Sequence, residues 1–377
     1  MAGMRVRLAT YNVLSPQLCT ASYFPHCPTS DSTTAGKRLE RVKGKLEEEI
    51  GKNAVICLQE VARVWEGDLH ELFANKDYHF ITSGYGAFFN GYMGVAMAFP
   101  RSSFTLEECK IVRISETKAK GYRSPVRPPR PGPLASFVNW VGSQLNSLVN
   151  ALRLALPFLA SPPRRPFDLW REVERRQNTM IMLRLRPKGE DAQSFCVATY
   201  HMPCAFRTPQ VIAVHSALLA KRLHKLAKGD PYFLTGDFNL QPDSSMYELL
   251  TNGKYLSEES ARESHPMGWK PFPEDTWEIE FGHPLKSAYK EVHGAEPDFT
   301  NYAKNKDSPA DEEGFIGTLD YLFYRSGDKN LVQATAADEL PHRKTYKEKG
   351  IISLPSQDEP SDHIKVAADF LITPIAK

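Results

Sequence analysis

The chain has 377 residues, of which 41% are apolar and 24% charged, with a net charge of +2. These values are ordinary for a soluble globular protein of one large domain or two smaller ones, and global charge alone does not announce a nucleic-acid binder. Six cysteines (Cys19, Cys27, Cys57, Cys109, Cys196 and Cys204) are scattered without metal-ligand spacing.

Met1-Ala2-Gly3-Met4-Arg5 runs at once into a strand-like pattern, with no secretory h-region, transit peptide or membrane span. An intracellular, cytoplasmic chain is the expectation, with Cys57 and Cys196 as buried thiols inside apolar runs. The alternation of Val6 to Leu14 predicts a first strand. Residues 19 to 36 read as a loop rich in Ser, Thr, Pro and Cys. From Gly36 to Ile50, the spacing of Leu39, Val42, Leu46 and Ile50 predicts a helix. The continuous apolar run Ala54 to Leu58 predicts a buried central strand ending in Gln59-Glu60-Val61. A helix is expected near Trp65 to Ala74. The glycine-rich stretch from Gly84 predicts a tight hairpin leading into a strand over Gly94 to Phe99.

Residues 118 to 170 change character. Lys118, Lys120, Arg123, Arg127 and Arg130 interleave with prolines, and Leu134 to Leu156 shows apolar residues at helical spacing until Pro157 stops it. The segment reads as an insert carrying an amphipathic helix between two basic, proline-rich arms. Three readings stand for residues 134 to 156: cover for a sheet edge, a surface for a membrane or protein partner, or disorder.

Further strands are expected over Asn178 to Leu185, Phe195 to Tyr200, Pro231 to Leu234, Thr318 to Tyr324 and Ile364 to Phe370. Helices are expected over Gln210 to Leu226 and around Met246 to Leu250, and an irregular acidic region over Glu258 to Glu280. There is no regular βα rhythm and no Gly-rich phosphate loop. A mixed sheet covered by helices, an α+β fold, fits better than a doubly wound one.

Polar residues recur where these strands end: Asn12, Glu60, Asn178, His201, Asp237 with Asn239, Asp320, and Asp362-His363. Any one of them suits an ordinary turn. Gathered at one rim, so many carboxylates repel unless a cation joins them. Oxygen donors without cysteine favour a hard ion, Mg²⁺ or Mn²⁺, and such an ion suits phosphoester chemistry.

Thr10-Tyr11-Asn12, Leu58-Gln59-Glu60-Val61, Tyr200-His201, Gly236-Asp237-Phe238-Asn239, Leu319-Asp320-Tyr321 and Ser361-Asp362-His363 resemble, in order, the motifs of the endonuclease/exonuclease/phosphatase superfamily. The resemblance implies a four-layer αββα sandwich of two mixed sheets flanked by helices. It also implies a single catalytic domain over 1–377, interrupted by the insert at 118–170, and Mg²⁺-dependent hydrolysis of a phosphoester. Gly236 to Ser244, Phe299 to Tyr302, Phe315 to Tyr324 and Glu359 to His363 are similar to the deadenylase branch, which takes in carbon-catabolite-repressor-type deadenylases, nocturnin, Angel and 2′,5′-phosphodiesterases. Two features depart from that branch: the segment Met202-Pro203-Cys204-Ala205-Phe206 and the insert. No leucine-rich-repeat docking arm is expected.

The resemblance carries roles residue by residue. Glu60 is the implied main metal ligand, supported by Asn12 and Asp362. Asp237 orients or deprotonates the attacking water, and Asn239 holds a phosphate oxygen. His363, oriented by Asp320, stabilises the pentacovalent phosphorus, and His201 donates to the phosphate or aids the leaving oxygen. Asn178 is a further candidate phosphate contact. Asn301 and Phe315 match positions that sandwich a base; the plain alternative for Phe315 is a core residue before a strand. The implied activity is a 3′-to-5′ exoribonuclease on poly(A) or other single-stranded RNA. Alternatives are a 2′,5′-oligoadenylate, 2′,3′-cyclic-phosphate or nucleotide phosphoesterase, a membrane-associated lipid phosphodiesterase that uses the insert, and an inactive RNA-binding scaffold.

Overall fold

A computed structural model describes residues 3–27, 30–86, 91–117, 169–189, 193–257, 259–260, 279–306, 308 and 314–375. The amphipathic helix expected over 134–156 lies outside these residues, as does most of the acidic region 258–280. By its internal contacts the chain divides into one unit of Met1–Tyr122 with Val173–Lys377 and a second of Arg123–Glu172. All the strands described below belong to the first.

In chain order the strands are β1 (Met4–Asn12), β2 (Val55–Ala62), β3 (Tyr78–Gly84), β4 (Met93–Pro100), β5 (Phe104–Arg113), β6 (Thr179–Pro187), β7 (Phe195–His201), β8 (Tyr232–Asp237), β9 (Lys286–Ser287), β10 (Asn301–Ala303), β11 (Phe315–Gly317), β12 (Asp320–Arg325), β13 (Asn330–Ala337) and β14 (Val366–Pro374). They form two six-stranded sheets, ordered β13-β14-β1-β2-β4-β3 and β5-β6-β7-β8-β12-β9, with β10 and β11 as a separate ribbon. Both sheets are mixed: β1–β2 and β7–β8 run parallel, their other pairings antiparallel.

Alternation along the strands decides the layers. Val6 and Leu8, Val55 and Cys57, Val95, Met97 and Phe99 face Ile181, Leu183, Phe195, Val197, Phe233 and Leu322 from the other sheet in one continuous core. The opposite parity of the first sheet, with Tyr11, Ile56, Leu58, Ala96 and Ala98, packs under the helices Ala35–Gly51 and Arg63–Asn75 through Leu39, Val42, Leu46, Trp65, Leu69 and Phe73. The helix Pro209–Ala227 covers the second sheet, where His215 meets Tyr200. The result is the expected four-layer αββα sandwich. Each fully buried aliphatic or aromatic side chain contributes about 1.5–3 kcal/mol of transfer free energy, so this doubly covered sheet pair supplies a rigid frame. Among the described residues, no helix is long and apolar enough to cross a membrane.

The strands expected from sequence are the interior ones: β1, β2, β4, β6, β7, β8, β12 and β14. The strands it did not reveal include every edge: β13, β3, β5 and β9. The reason is exposure. β5 is largely exposed along Thr105–Lys110, and β3 is buried only at Tyr78, so neither carries the apolar pattern that burial imposes. The last strand begins at Val366 rather than Ile364, and β12 at Asp320 rather than Thr318.

Candidate active site

The inward-facing rows of the two sheets do not stay apolar. On β1 the row runs Val6, Leu8, Thr10, Asn12; on β7, Phe195, Val197, Thr199, His201; on β8, Phe233, Thr235, Asp237; on β12, Tyr324, Leu322, Asp320. A two-residue period therefore carries each strand from core to charge at the same end of the sandwich. A polar floor separates the two. Gln59 donates to Thr10 Oγ1 at 3.0 Å and to Thr199 Oγ1 at 2.9 Å, joining one sheet to the other beneath the site.

Glu60 reaches the site by breaking the period. Leu58 and Val61 both pack on the outer face of the first sheet, and the β2–β4 register shifts between them. The extra residue is a bulge, and Glu60 takes it up at φ +59°, an uncommon conformation for a non-glycine residue. Its carboxylate accepts from Asn12 Nδ2 at 3.2 Å and from the Ser15 backbone N–H at 3.0 Å.

Asp237 lies at the centre. Its register partners are His201 on β7 and Asp320 on β12. Oδ2 accepts from Asn12 Nδ2 at 3.0 Å and faces His201 Nε2 at 3.4 Å and His363 Nε2 at 3.6 Å. Oδ1 accepts from the Asn239 backbone N–H at 2.9 Å. The preceding Gly236 has φ +141°, and a Cβ there would lie 1.9 Å from Tyr200 O, so only glycine lets β8 approach β7 this closely before Asp237.

His363 Nδ1 is 2.7 Å from Asp320 Oδ2, which also accepts from Thr300 Oγ1 at 2.7 Å. Burial alone would lower the His363 pKa. The Asp320, Asp237 and Asp362 carboxylates outweigh it and hold the imidazole well above its ordinary value, so it is a cation at neutral pH. Burial raises Asp320, with His363 opposing. Ser361 fixes the histidine from behind: its hydroxyl donates to Asn12 O at 2.7 Å and accepts from the His363 backbone N–H at 3.1 Å.

Four carboxylates, Glu60, Asp237, Asp320 and Asp362, thus share one end of the sandwich with the His363 cation. Burial raises the Asp362 pKa, and the Glu60 charge adds to it against the pull of His363 and Arg38. Arg38, fully buried, donates to the carbonyls of Pro360, Val13 and Leu14 and so clamps the loop that carries Asp362 to the segment that follows Asn12. The repulsion between Glu60 and Asp362 and the oxygen chemistry of their carboxylates fit a hard divalent cation, while Asn12 turns its Nδ2 to Glu60 and its Oδ1 to the Leu14 N–H. A second grouping, Asp237, Asp320 and His363, has ligating atoms within 4.8 Å of one another. There the imidazole is protonated and already paired, which favours proton handling over ligation.

The structure brings Asn12, Glu60, His201, Asp237, Asp320 and His363 into one network. Asn178 donates through Nδ2 to His201 O at 2.8 Å, and Asn239 through Nδ2 to Met202 O at 2.8 Å, so each braces the backbone around His201. Asn301 is buried and forms a backbone bridge to His363. Phe315 is 42% exposed, which overturns the plain reading of it as a core residue. Its ring lies across Gly317, register partner of Asn301. Sequence reasoning missed Tyr85, Arg38, Thr300 and Ser361. Thr300 and Ser361 stand inside the quoted motifs as ordinary hydroxyl residues. Tyr85, between Gly84 and Gly86, signals only a turn, yet its hydroxyl is 3.0 Å from His201 Nδ1.

A model of the endonuclease/exonuclease/phosphatase family matches residues 9–363. The chain belongs to this family. It is 30% identical over 146 residues to the Ccr4 3′-5′-exoribonuclease subunit of the CCR4-Not complex of Neurospora crassa, covering 38% of this chain and 16% of the relative. It is 26% identical over 206 residues to human 2′,5′-phosphodiesterase 12, covering 53% and 30%. These relatives lie in the deadenylase branch that the motifs resemble. The chain spans 16% of the length of the Neurospora crassa relative and 52% of that of the Ccr4 subunit of Emericella nidulans. Among solved structures, ANGEL2, a 2′,3′-cyclic phosphatase in complex with adenosine-2′,3′-vanadate, superposes with a TM-score of 0.67 at 18% identity, over 98% of this chain and 96% of that one. At that identity the likeness is one of fold.

Proposed function

We propose that this chain is a divalent-metal-dependent phosphodiesterase that removes nucleotides from the 3′ end of single-stranded, adenylate-containing RNA. The observation that carries the reading is the arrangement around Asp237. One carboxylate oxygen faces an amide and two imidazoles, one of them cationic, beside a carboxylate pair that fits a hard ion. Glu60 and Asp362 would hold Mg²⁺, with Asn12 supporting them directly or through water, and the ion when bound supplies positive charge against the phosphate. Mn²⁺ suits the same donors.

The chain's own groups divide the remaining work. Asp237 Oδ2 accepts a proton from the attacking water. His363 Nε2–H, charged and braced by Asp320, faces the oxygens on which negative charge grows during in-line displacement. His201 Nε2 faces the same centre and donates to the phosphate. Asn239 retains an N–H for a phosphate oxygen, while Asn178 serves by bracing His201. Phe315, exposed on the ribbon beside Asn301, offers a face on which a base stacks. The unit Arg123–Glu172 is an insertion into the catalytic domain in this reading.

A second reading keeps the chemistry and shifts the substrate to a 2′,3′-cyclic phosphate at an RNA end. The ANGEL2 fold likeness supports it, and the segment Met202–Phe206, which departs from the deadenylase pattern, leaves the substrate end open. The test is hydrolysis by purified protein with Mg²⁺ of oligo(A), mixed-sequence RNA, 2′,5′-oligoadenylate, a 2′,3′-cyclic end, NADP⁺ and sphingomyelin. Release of mononucleotides from oligo(A) supports the first reading, and opening of the cyclic end alone supports the second. Cleavage of sphingomyelin alone, or of nothing, overturns both.

A further inference from the structure

His201 is held on three sides. Its carbonyl accepts from Asn178 Nδ2, its Nε2 faces Asp237 Oδ2 at 3.4 Å, and its Nδ1 lies 3.0 Å from the Tyr85 hydroxyl. The Tyr85 ring is buried in the inter-sheet core and stands edge-on to the imidazole, with centroids 5.9 Å apart. Tyr85 is itself fixed, since its backbone N–H donates to Met93 O at 3.0 Å.

We propose that Tyr85 is a positioning residue whose O–H donates to His201 Nδ1, holding the imidazole as the Nε2–H tautomer with its proton aimed at Asp237 and the reacting phosphate. The last part rests on the phosphodiesterase reading above; the tautomer does not. A neutral imidazole carries one proton, and the nitrogen opposite the donor is bare. If Nδ1 bore the proton, the Nε2 lone pair would point at a carboxylate oxygen 3.4 Å away, and two acceptors would meet in a buried site. With the one proton of the neutral ring on Nε2, the Nε2–H faces the carboxylate and the bare Nδ1 takes the Tyr85 hydroxyl as its donor. The phenol keeps its proton for the purpose: burial, aided by the Glu60 charge, raises it well above its ordinary value. His201 therefore works as a hydrogen-bond donor and not as a base. Tyr85 reaches the reaction only through it.

The test uses protein labelled with ¹⁵N-histidine, with His201 assigned by its loss in His201→Gln. Tyr85→Phe keeps the ring in the core and removes the hydroxyl. In the wild type at pH 8 the His201 resonances should be those of the Nε2–H tautomer. In Tyr85→Phe they should shift towards a tautomer mixture, with kcat down about ten-fold and KM nearly unchanged. A wild-type spectrum of the Nδ1–H tautomer or of an imidazolium overturns the proposal. So does a Tyr85→Phe protein with unchanged spectrum and unchanged kcat. Absence of hydrolysis on every substrate, with the tautomer change intact, would remove the phosphodiesterase reading and leave the pairing standing.

Discussion

Asp320 Oδ2 sits 2.7 Å from His363 Nδ1 with both side chains buried, and the pair faces Asp237 across the β8–β12 register. The carboxylate is what keeps this imidazole charged, since burial alone acts in the opposite direction. Asp320→Asn preserves shape and an acceptor while deleting the charge. His363 then loses its proton at lower pH, so the alkaline limb of the kcat profile should move down in pH. At pH 7.5 kcat should fall roughly 10²–10⁴-fold. A profile with the wild-type shape would show that the imidazolium has no part in turnover.

Glu60 and Asp362 repel each other in the metal-free chain. Added Mg²⁺ should raise the melting temperature of the wild type, by a stabilisation of about 2.7 kcal/mol at one hundred times its dissociation constant. Glu60→Gln should abolish this thermal shift while leaving the metal-free protein folded. Chelation should silence the wild type and spare its circular dichroism. Equal Mg²⁺ shifts in both proteins would move the ion away from Glu60.

His215 is buried without exposure, between the Tyr200 hydroxyl at 2.8 Å and Val173 O at 3.2 Å. Burial lowers its pKa from 6.5 to about 4, against a smaller opposing effect of the Val173 carbonyl. The unfolded chain therefore binds a proton below pH 6.5 that the folded one refuses until pH 4. Stability should be fully present above pH 6.5 and decline as pH falls towards 4, by up to about 3 kcal/mol from this group. Urea unfolding at pH 7.5 and pH 5 should show a smaller pH dependence for His215→Gln than for the wild type. An equal dependence would assign the acid sensitivity to other groups.

Phe315 has no buried role to lose. Phe315→Ala should raise KM for oligo(A) by about 10- to 100-fold, the range for one base-stacking platform. Hydrolysis of a minimal phosphodiester such as bis(p-nitrophenyl) phosphate should stay within about two-fold. Parallel losses on both substrates would mean that the ring supports the ribbon and not a base.

What could be read from sequence was whatever burial had written there. Interior strands such as Val55–Ala62 and Phe195–His201 are buried at every position, and they stand out as apolar runs. Their polar ends are legible because a charged residue after such a run has no ordinary reason to be there. Edge strands answer to solvent, so β5 and β13 left no comparable trace. Within the site, Asp237 and His201 follow from parity along their strands. Glu60 does not: alternation alone would send it to the outer face with Leu58, and only the bulge turns it inward. Tyr85 and Arg38 are invisible for a different reason. Each acts across the fold on residues far away in the chain, Tyr85 on His201 and Arg38 on Pro360, and no local pattern encodes a partner.

The Gln59 amide, fastened to Thr10 on one sheet and Thr199 on the other, works as a rivet. Sliding one sheet along the other would tear both of its bonds in a place water does not reach. The reacting groups above it are thus mounted on a block braced from sheet to sheet. The loop after His201 and the ribbon of β10 and β11, with its exposed Phe315 ring, lie beyond the rivet. In the phosphodiesterase reading, those outer parts can be rebuilt for another substrate while the block beneath stays as it is.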